Sequence, residues 1–520
     1  MRTPTWIKDS IIASLLLKNK PISRLHREVI IEKSIIIIGG GLAGLSAGCY
    51  GQMNGYKTTI FEMNDKAGGM CTGWKRQGYT IDGAMNWLVG TRPGAQFYNF
   101  WEELGAAPEW KIFNHDRFVI NEYEDGNTFT FYCDADRFEQ YLLELAPEDS
   151  DVIREFTQAV RESSNCTMPL DKPAEFLDAS GREKMGQMRH GMQLMEQWNA
   201  ISFQDFAQRL KNPYLREVFS QFRGPMAMFI MVLGLQHAKS AGYVIGGALA
   251  LVKPIEKRYR TLGGTIKFNS KVVKILAEND KAVGIQLANG EEYRADYILS
   301  SGDGRTAIFN LLGGKYINET IKNRYDHPNL SGSLTYIGLG VKRAFTDIPS
   351  AIGGLNFPLA KPINIAGKEK KNMNVLIYNF DPTLAPPGKS LVVVQYPTNY
   401  DYWHTFRQDI ARYQAEKDRI ANDIIAGLEQ RFPGISGQVE MRDVATPLTW
   451  EHYTGIWRGA LGWMSGADNI SKTLPGLDNF YMAGLWVNPN GGMPEAVMSG
   501  NHAIQLICKN DKKTFVTTKP

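Results

Sequence analysis

The stretch from Ser34 to Glu62 constrains this chain more than any other, because few folds accept it. Ile35 to Ile38 form an apolar run rich in β-branched residues, and Gly39-Gly40-Gly41 turn the chain. Leu42 to Asn54 read as a helix, and Lys57 to Phe61 as a second strand ending in Glu62. The unit is βαβ and carries Gly39-x-Gly41-x-x-Gly44. Each glycine of that pattern has a steric purpose: a tight turn, backbone approach to a pyrophosphate, and close packing of helix on strand. A helix N-terminus at the turn offers unpaired N–H groups and a positive dipole end to an anion. Glu62 is placed to accept hydrogen bonds from ribose hydroxyls and to repel a phosphate there, so the pattern points to FAD or NAD rather than NADP.

The stretch that follows, Asp65 to Gly83, pairs Gly68 with Gly69, whose N–H groups are suited to phosphate or ribitol oxygens. Near the other end, Asn479 to Gly500 reads as a short strand, a glycine-rich turn at Asn490-Gly491-Gly492, and a helix from Met493 to Lys509 with Pro494 in its first turn. The dipole of this second helix is suited to the negative charge that a flavin develops at N1/O2 on reduction.

Between these ends the chain changes character. Residues 95–105 read as helical, and Phe118 to Tyr132 as a hairpin turning at Asp125-Gly126. Asp134 to Gln208 reads as helical, with start signals at Asp136 and Ser150, and departs from the nucleotide-binding alternation. A helix is expected over Gly242 to Arg260, and a meander over Thr265–Phe268, Lys271–Ala277 and Ala282–Leu287, before a strand returns at Asp296–Ser300. Further strands are expected at Ser333–Val341, Asn374–Asn379 and Ser390–Tyr396, then a long helix over Ile410–Phe432. Met185, Met188, Met192 and Met195 share one helical face, and Met226, Met228 and Met231 lie in the apolar run Pro225–Leu235. Such stripes belong either to a core or to a surface fitted to a long apolar ligand or to lipid. At eleven residues that run cannot span a bilayer.

Composition narrows the function. The chain has 520 residues, 43% hydrophobic and 22% charged, enough for two or three domains with their own cores. A formal net charge of +4 is too small to suggest nucleic acid. Residues 1–33 account for the excess, with seven Lys/Arg against three acids, and this basic extension is suited either to an anionic membrane surface or to packing as a leader helix. The five scattered cysteines form no CxxC pair, which argues against a metal site or a disulfide framework and for a reducing cytoplasm.

These motifs together make the chain similar to the phytoene desaturase family of flavoproteins, which includes carotenoid isomerases and retinol saturases. The resemblance rests on GGGLAGLSAG at 39–48, Glu62, AGGMCTGWKRQGYTIDG at 67–83, GGTIKFNSKVVKI at 263–275, DPTLAPPGKS at 381–390, TPLTWEHYTG at 446–455 and AGLWVNPNGGMPEAVMSG at 483–500. It implies an α/β fold: a glutathione-reductase-like FAD-binding Rossmann domain with a discontinuous α+β substrate domain. The boundaries expected are 34–110, 240–315 and 446–509 for the FAD domain, and 111–239 with 316–445 for the substrate domain, flanked by the extension 1–33 and a tail 510–520. The residues expected at FAD are Gly39, Gly40, Gly41, Leu42, Ala43 and Gly44; Glu62 and Met63; Gly68, Gly69 and Met70; Ser301; and Gly484, Leu485, Gly491, Gly492 and Met493. The resemblance adds Val272, through its main chain, at the adenine. It departs at two positions: Asn86 stands where relatives often have histidine, and Asn490 where they have a third glycine.

The function implied is hydride transfer at flavin N5 to or from carbon–carbon bonds of a hydrophobic isoprenoid, polyene or lipid delivered from membrane. Alternatives are redox-neutral isomerisation of a polyene, amine oxidation, and a non-catalytic prenyl-binding protein of the GDP-dissociation-inhibitor type. Leu485 stands where amine oxidases usually place an acid. One dinucleotide fingerprint implies that electrons pass by transient NAD(P)H binding, by quinone or by oxygen. No residue is assigned as catalytic acid or base.

Overall fold

The computed structural model describes residues 32–165, 172–173, 176, 189–463, 470–487 and 492–520. Residues 1–31 of the basic extension, Met185, Met188, Asn490 and Gly491 therefore lie outside the described residues.

Strand β1 (Ser34–Ile38), helix α1 (Leu42–Met53) and strand β2 (Lys57–Phe61) form the expected unit. β1 lies at the centre of a five-stranded parallel sheet in the order Thr265–Lys267, β2, β1, Tyr297–Ser300, Phe480–Met482. Residues from both ends of the chain thus build one sheet. Its core continues into α1, which is buried on all sides from Leu42 to Gly51, and that is why the helix is made of small residues. A Cβ on Gly48 would overlap the Tyr259 ring, and one on Gly51 would press on the Thr58 methyl.

A seven-stranded sheet forms the second layer, in the order Val439–Ala445, Ser333–Val341, Ser390–Thr398, Lys368–Ile377, Leu355–Ile365, Arg117–Glu122, Thr128–Tyr132. One face packs on the helix Ile410–Arg431 through Ile337, Leu339, Val375, Val392 and Val394. At one edge, the other face packs on the nucleotide-sheet core through Tyr336, Leu376, Tyr378, Leu391 and Val393. At the opposite edge, Phe129 and Phe131 enter the core of a helical lobe that includes Phe138, Phe156, Trp198 and Phe219.

Several expectations need correction. Thr265–Lys267 is not part of a meander: it pairs parallel with β2, and the antiparallel sheet holds only Val272–Glu278, Lys281–Leu287 and Glu292–Arg294. The expected helix from Gly242 is a strand, Ala241–Val244, followed by a helix Gly247–Thr261. The glycine pair Gly246-Gly247 has positive φ at both residues and breaks the two apart. The helix near residue 100 is shorter than expected, Tyr98–Glu103. The caps also shift: Asp134, not Asp136, caps Ala135–Leu145 by accepting from the Asp136 and Arg137 N–H groups, and Asp149 precedes the helix Ser150–Ser163. Strands Leu355–Ile365 and Val439–Ala445 were not expected: their alternation is broken, by Ala360-Lys361-Pro362 in the first and by Arg442-Asp443 in the second.

Candidate functional site

Three turns meet at the C-terminal end of the parallel sheet. At the first, the Gly39 N–H donates to the Phe61 carbonyl at 2.9 Å, and Gly39 has φ +99°. A Cβ on Gly44 would fall inside the Gly39 carbonyl oxygen, which explains the third glycine of the pattern. Gly40 N–H donates to Glu62 Oε2 at 2.7 Å, so the acid that ends β2 also braces the turn after β1. Glu62 is 4% exposed, and its other oxygen accepts from Asn64 N–H at 2.9 Å and Asn64 Nδ2 at 3.0 Å.

The second turn lies directly against the first. Gly68 N–H donates to the Gly40 carbonyl at 2.9 Å, Gly41 and Gly68 form a parallel bridge, and a Cβ on Gly69 would come within 3.1 Å of Gly41 Cα. The third turn follows the last strand. Ala483 N–H donates to Ser300 O at 2.9 Å, and Gly484, with φ +105°, donates to Ser499 Oγ at 2.7 Å. The helix Met493–Asn510 then crosses α1 where Gly500 meets Ala43 and Ala47, and Ser46 Oγ donates to Val497 O at 2.6 Å. Its first residue touches the second turn: Cys71 Sγ and Met493 Sδ are 3.5 Å apart.

The other expected residues fall around this centre. Ser301 uses its hydroxyl on the Ile38 and Gly39 carbonyls, at 3.0 and 2.9 Å, and so ties two strand ends together. Ser270 N–H donates to the Glu62 carbonyl at 2.8 Å, which brings the start of the strand Val272–Glu278 up to the end of β2. Met63 approaches Gly455, Met70 packs among aromatic and aliphatic side chains, and Leu485 packs beside Gly462. Gly492 N–H donates to Glu495 Oε2 at 2.8 Å, giving Glu495 a structural task, and burial raises its pKa.

The polar neighbours are also structural. Buried Asp303 accepts from Thr306 N–H at 2.7 Å and Trp457 N–H at 3.2 Å, and burial pushes its carboxyl up to about 6. Asp82 Oδ1 accepts from the Ala84 and Met85 N–H groups and Oδ2 from Ala248 N–H at 2.8 Å, while its carbonyl takes the Tyr336 hydroxyl. Burial pushes Asp82 up to about 6 as well. Tyr378, on the seven-stranded sheet, reaches Met85 O and Asn86 Oδ1 at 3.3 Å each. Asn64, Cys71, Asp82 and Ser499 were not expected here. For Asp82 the signal in the sequence was its Asp-Gly turn at the end of a strand; Cys71 and Ser499 carried none.

Two observations fit a dinucleotide. The N-terminus of α1 is buried at Leu42 and Ala43, yet no side chain caps it and its first turn holds no acid. Buried N–H groups at a helix N-terminus that no side chain caps suit an anion. The Thr72 hydroxyl, two residues beyond Met70, is buried with no hydrogen-bond partner. Among the described residues there is no cluster fit for a metal ion.

A parallel sheet with a glycine turn over an uncapped helix, a buried acid ending the next strand and a second glycine turn beneath it defines a flavoprotein of the dinucleotide-binding class. The chain matches the family model for flavin containing amine oxidoreductase over residues 42–508 and belongs to that family. It is an FAD-dependent oxidoreductase. It is 25% identical to a lycopene-forming phytoene desaturase from Paracoccus sp. over 91% of this chain and 97% of that one. It is 22% identical to a chloroplastic prolycopene isomerase from Daucus carota over 90% of this chain and 79% of that one. Among solved structures, an oxidoreductase from Methanosarcina mazei shares the fold with a TM-score of 0.54 at 17% identity, covering 92% of this chain and all of that one.

Proposed function

We propose that this chain transfers hydride between FAD and carbon–carbon bonds of a hydrophobic polyene isoprenoid, as a desaturase or saturase. The observation that carries the reading is the meeting of three turns from distant parts of the chain at one sheet edge, in a chain similar to a phytoene desaturase over nearly its whole length. FAD, when bound, supplies two-electron chemistry at its flavin ring. The chain's own residues bind and orient. With FAD bound, the N–H groups at the α1 N-terminus, at Leu42 and Ala43, would hold the pyrophosphate, Glu62 would take a ribose hydroxyl on its one remaining lone pair, and Val272 would meet the adenine. Thr72 offers its free hydroxyl to the flavin end, and Met493 sits at the helix end closest to Cys71. Residues 34–110, 240–315 and 446–509 act as the FAD domain, and 111–239 with 316–445 as the substrate domain.

The substrate reaches the enzyme from a membrane surface. The helix Met226–His237 has no polar residue before Gln236, and its outer face exposes Met228 (54%) and Met231 (37%). No acid lies between Glu217 and Glu256, while exposed Arg223 and Lys239 flank the helix, an arrangement suited to anionic lipid. Of the methionine stripe, Met226 is core and Met195 is partly buried, but Met192 is exposed as well. No described helix is long and apolar enough to cross a membrane.

The test is an anaerobic reaction of the FAD-loaded enzyme with a linear polyene. Bleaching of the flavin band near ~450 nm with a product two hydrogens lighter supports desaturation. A product of unchanged mass from pre-reduced enzyme supports the isomerase reading instead, which the Daucus carota relative favours. Protein that stays colourless with FAD added overturns both.

A further inference from the structure

The pairing register of the seven-stranded sheet sets one residue of each strand in a single row. Tyr336 lies opposite Gln395, Asn356 opposite both Asn374 and Asn121, and Asn121 opposite Phe129. Val375 pairs with Val394, so one step along the same ladder puts Asn374 beside Gln395. Four amides therefore stand side by side on four adjacent strands, a span of about 14 Å at the usual strand spacing.

The face they occupy follows from alternation. Val394, Val375, Leu355 and Ile120 precede or follow the amides and belong to the core on the Ile410–Arg431 side. The amides therefore face the other way, toward the nucleotide sheet and the helical lobe. The two ends of the row are covered: Tyr336 is buried in the nucleotide-sheet core, and Phe129 in the core of the helical lobe. Between those covered ends Asn374 is exposed and Gln395 and Asn356 are half-buried, so the middle of the row is open to solvent on the face toward the nucleotide sheet. Along the strand, Asn374 is followed on the same face by Leu376 and Tyr378, both buried in the nucleotide-sheet core, and Tyr378 touches Asn86 at the glycine-rich site. Asn374 to Tyr378 is four residues, about 13 Å of strand.

Two of the amides are answered by water and not by the protein. Asn356 Nδ2 donates to Asn121 Oδ1 at 3.1 Å, but among the described residues no group hydrogen-bonds to the Asn374 or Gln395 side chains. A pure hydrocarbon lying across the row would strip water from them and return nothing. The row contains no ionisable group except Tyr336, whose hydroxyl is already given to Asp82. Its partner is therefore neutral and hydrogen-bonding.

We infer that the substrate carries a hydroxyl or carbonyl oxygen that seats on the amides of Asn374 and Gln395, remote from the end that enters the flavin site. This rests on the polyene reading above and refines it from a hydrocarbon to an oxygenated polyene. The test uses the FAD-loaded enzyme and two probes: a linear polyene hydrocarbon, and the same polyene bearing one terminal hydroxyl or aldehyde. Binding is read by quenching of tryptophan fluorescence. The wild type is expected to bind the oxygenated probe at least tenfold more tightly. Asn374→Leu with Gln395→Leu is expected to erase that preference while leaving the flavin absorbance and Tm unchanged. The single variant Gln395→Met, which alters one side chain on a half-buried strand, is expected to reduce the preference partway. Equal binding of the two probes by the wild type overturns the inference and leaves the polyene reading standing, as does a preference retained in the double variant. Failure of both probes to bind overturns the inference together with that reading.

Discussion

Cys71 Sγ lies 3.5 Å from Met493 Sδ, although 422 positions of sequence separate the two residues. The contact joins the loop beneath the glycine turn to the first residue of the C-terminal helix. It exists because that helix crosses α1 at Gly500, where a Cβ would enter the space of the Ala43 carbonyl and the Ala47 amide.

Gly500→Ala is therefore expected to push the two helices apart. Overpacking of a tight crossing costs about 1–3 kcal/mol. The Met493 end moves with it, so flavin content should fall together with Tm. The ratio of flavin to protein absorbance, set beside a thermal melt, checks this, and an unchanged ratio in a stable variant refutes it.

Glu62 faces only donors: Gly40 N–H, Asn64 N–H and Asn64 Nδ2. A glutamine cannot satisfy both sides, since its NH2 would oppose an N–H group. Glu62→Gln should thus weaken FAD binding nearly as much as Glu62→Ala, by about tenfold or more, since a lost charge-assisted bond is worth about 1.5–3 kcal/mol. Titration of apoprotein with FAD measures it. A glutamine variant that binds as the wild type does would show that the carboxylate charge is dispensable.

Asp303 gives the chain a pH signature. Burial raises its folded carboxyl from 3.8 to about 6. A raised acid stabilises the fold fully below its unfolded value, and that contribution disappears as pH climbs through the folded one. Asp303→Asn lacks this term. The Tm difference between wild type and variant should accordingly be larger at pH 4 than at pH 7.5, with a change on the order of 3 kcal/mol across the window. Melts of both proteins at the two pH values decide it, and a difference independent of pH rejects the assignment.

Asp511 closes the far end of the nucleotide sheet. It accepts from the Tyr56 and Tyr297 hydroxyls and from Lys33, while Val516 exchanges two hydrogen bonds with Asn54. Asp511→Ala leaves two phenols without an acceptor, a loss of about 2 kcal/mol or more. Tm should drop while flavin content in the folded protein stays normal, because this end lies opposite the glycine turns. Loss of flavin without loss of Tm would contradict that placement.

The sequence by itself determined the β1–α1–β2 unit, with its turn, its buried acid and the order of its elements. These depend on contacts within about thirty residues, where apolar alternation and glycine placement carry the information. It also determined the hairpin Arg117–Tyr132 and the strand Ser333–Val341, both of which have clean turns or long apolar runs. Only the tertiary structure decided the rest. Three residues of strand at Thr265–Lys267 cannot say which partner they choose, and β2 is that partner. The apolar run Met226–Leu235 has no polar face, so the pattern could not tell which methionines the lobe would bury. Glu62 was legible as an acid at a strand end, but its bond to Gly40 was not. The amide row needed four strands paired in register from widely separated parts of the chain. Register is set by long-range burial, and no local stretch encodes which residue will stand beside which.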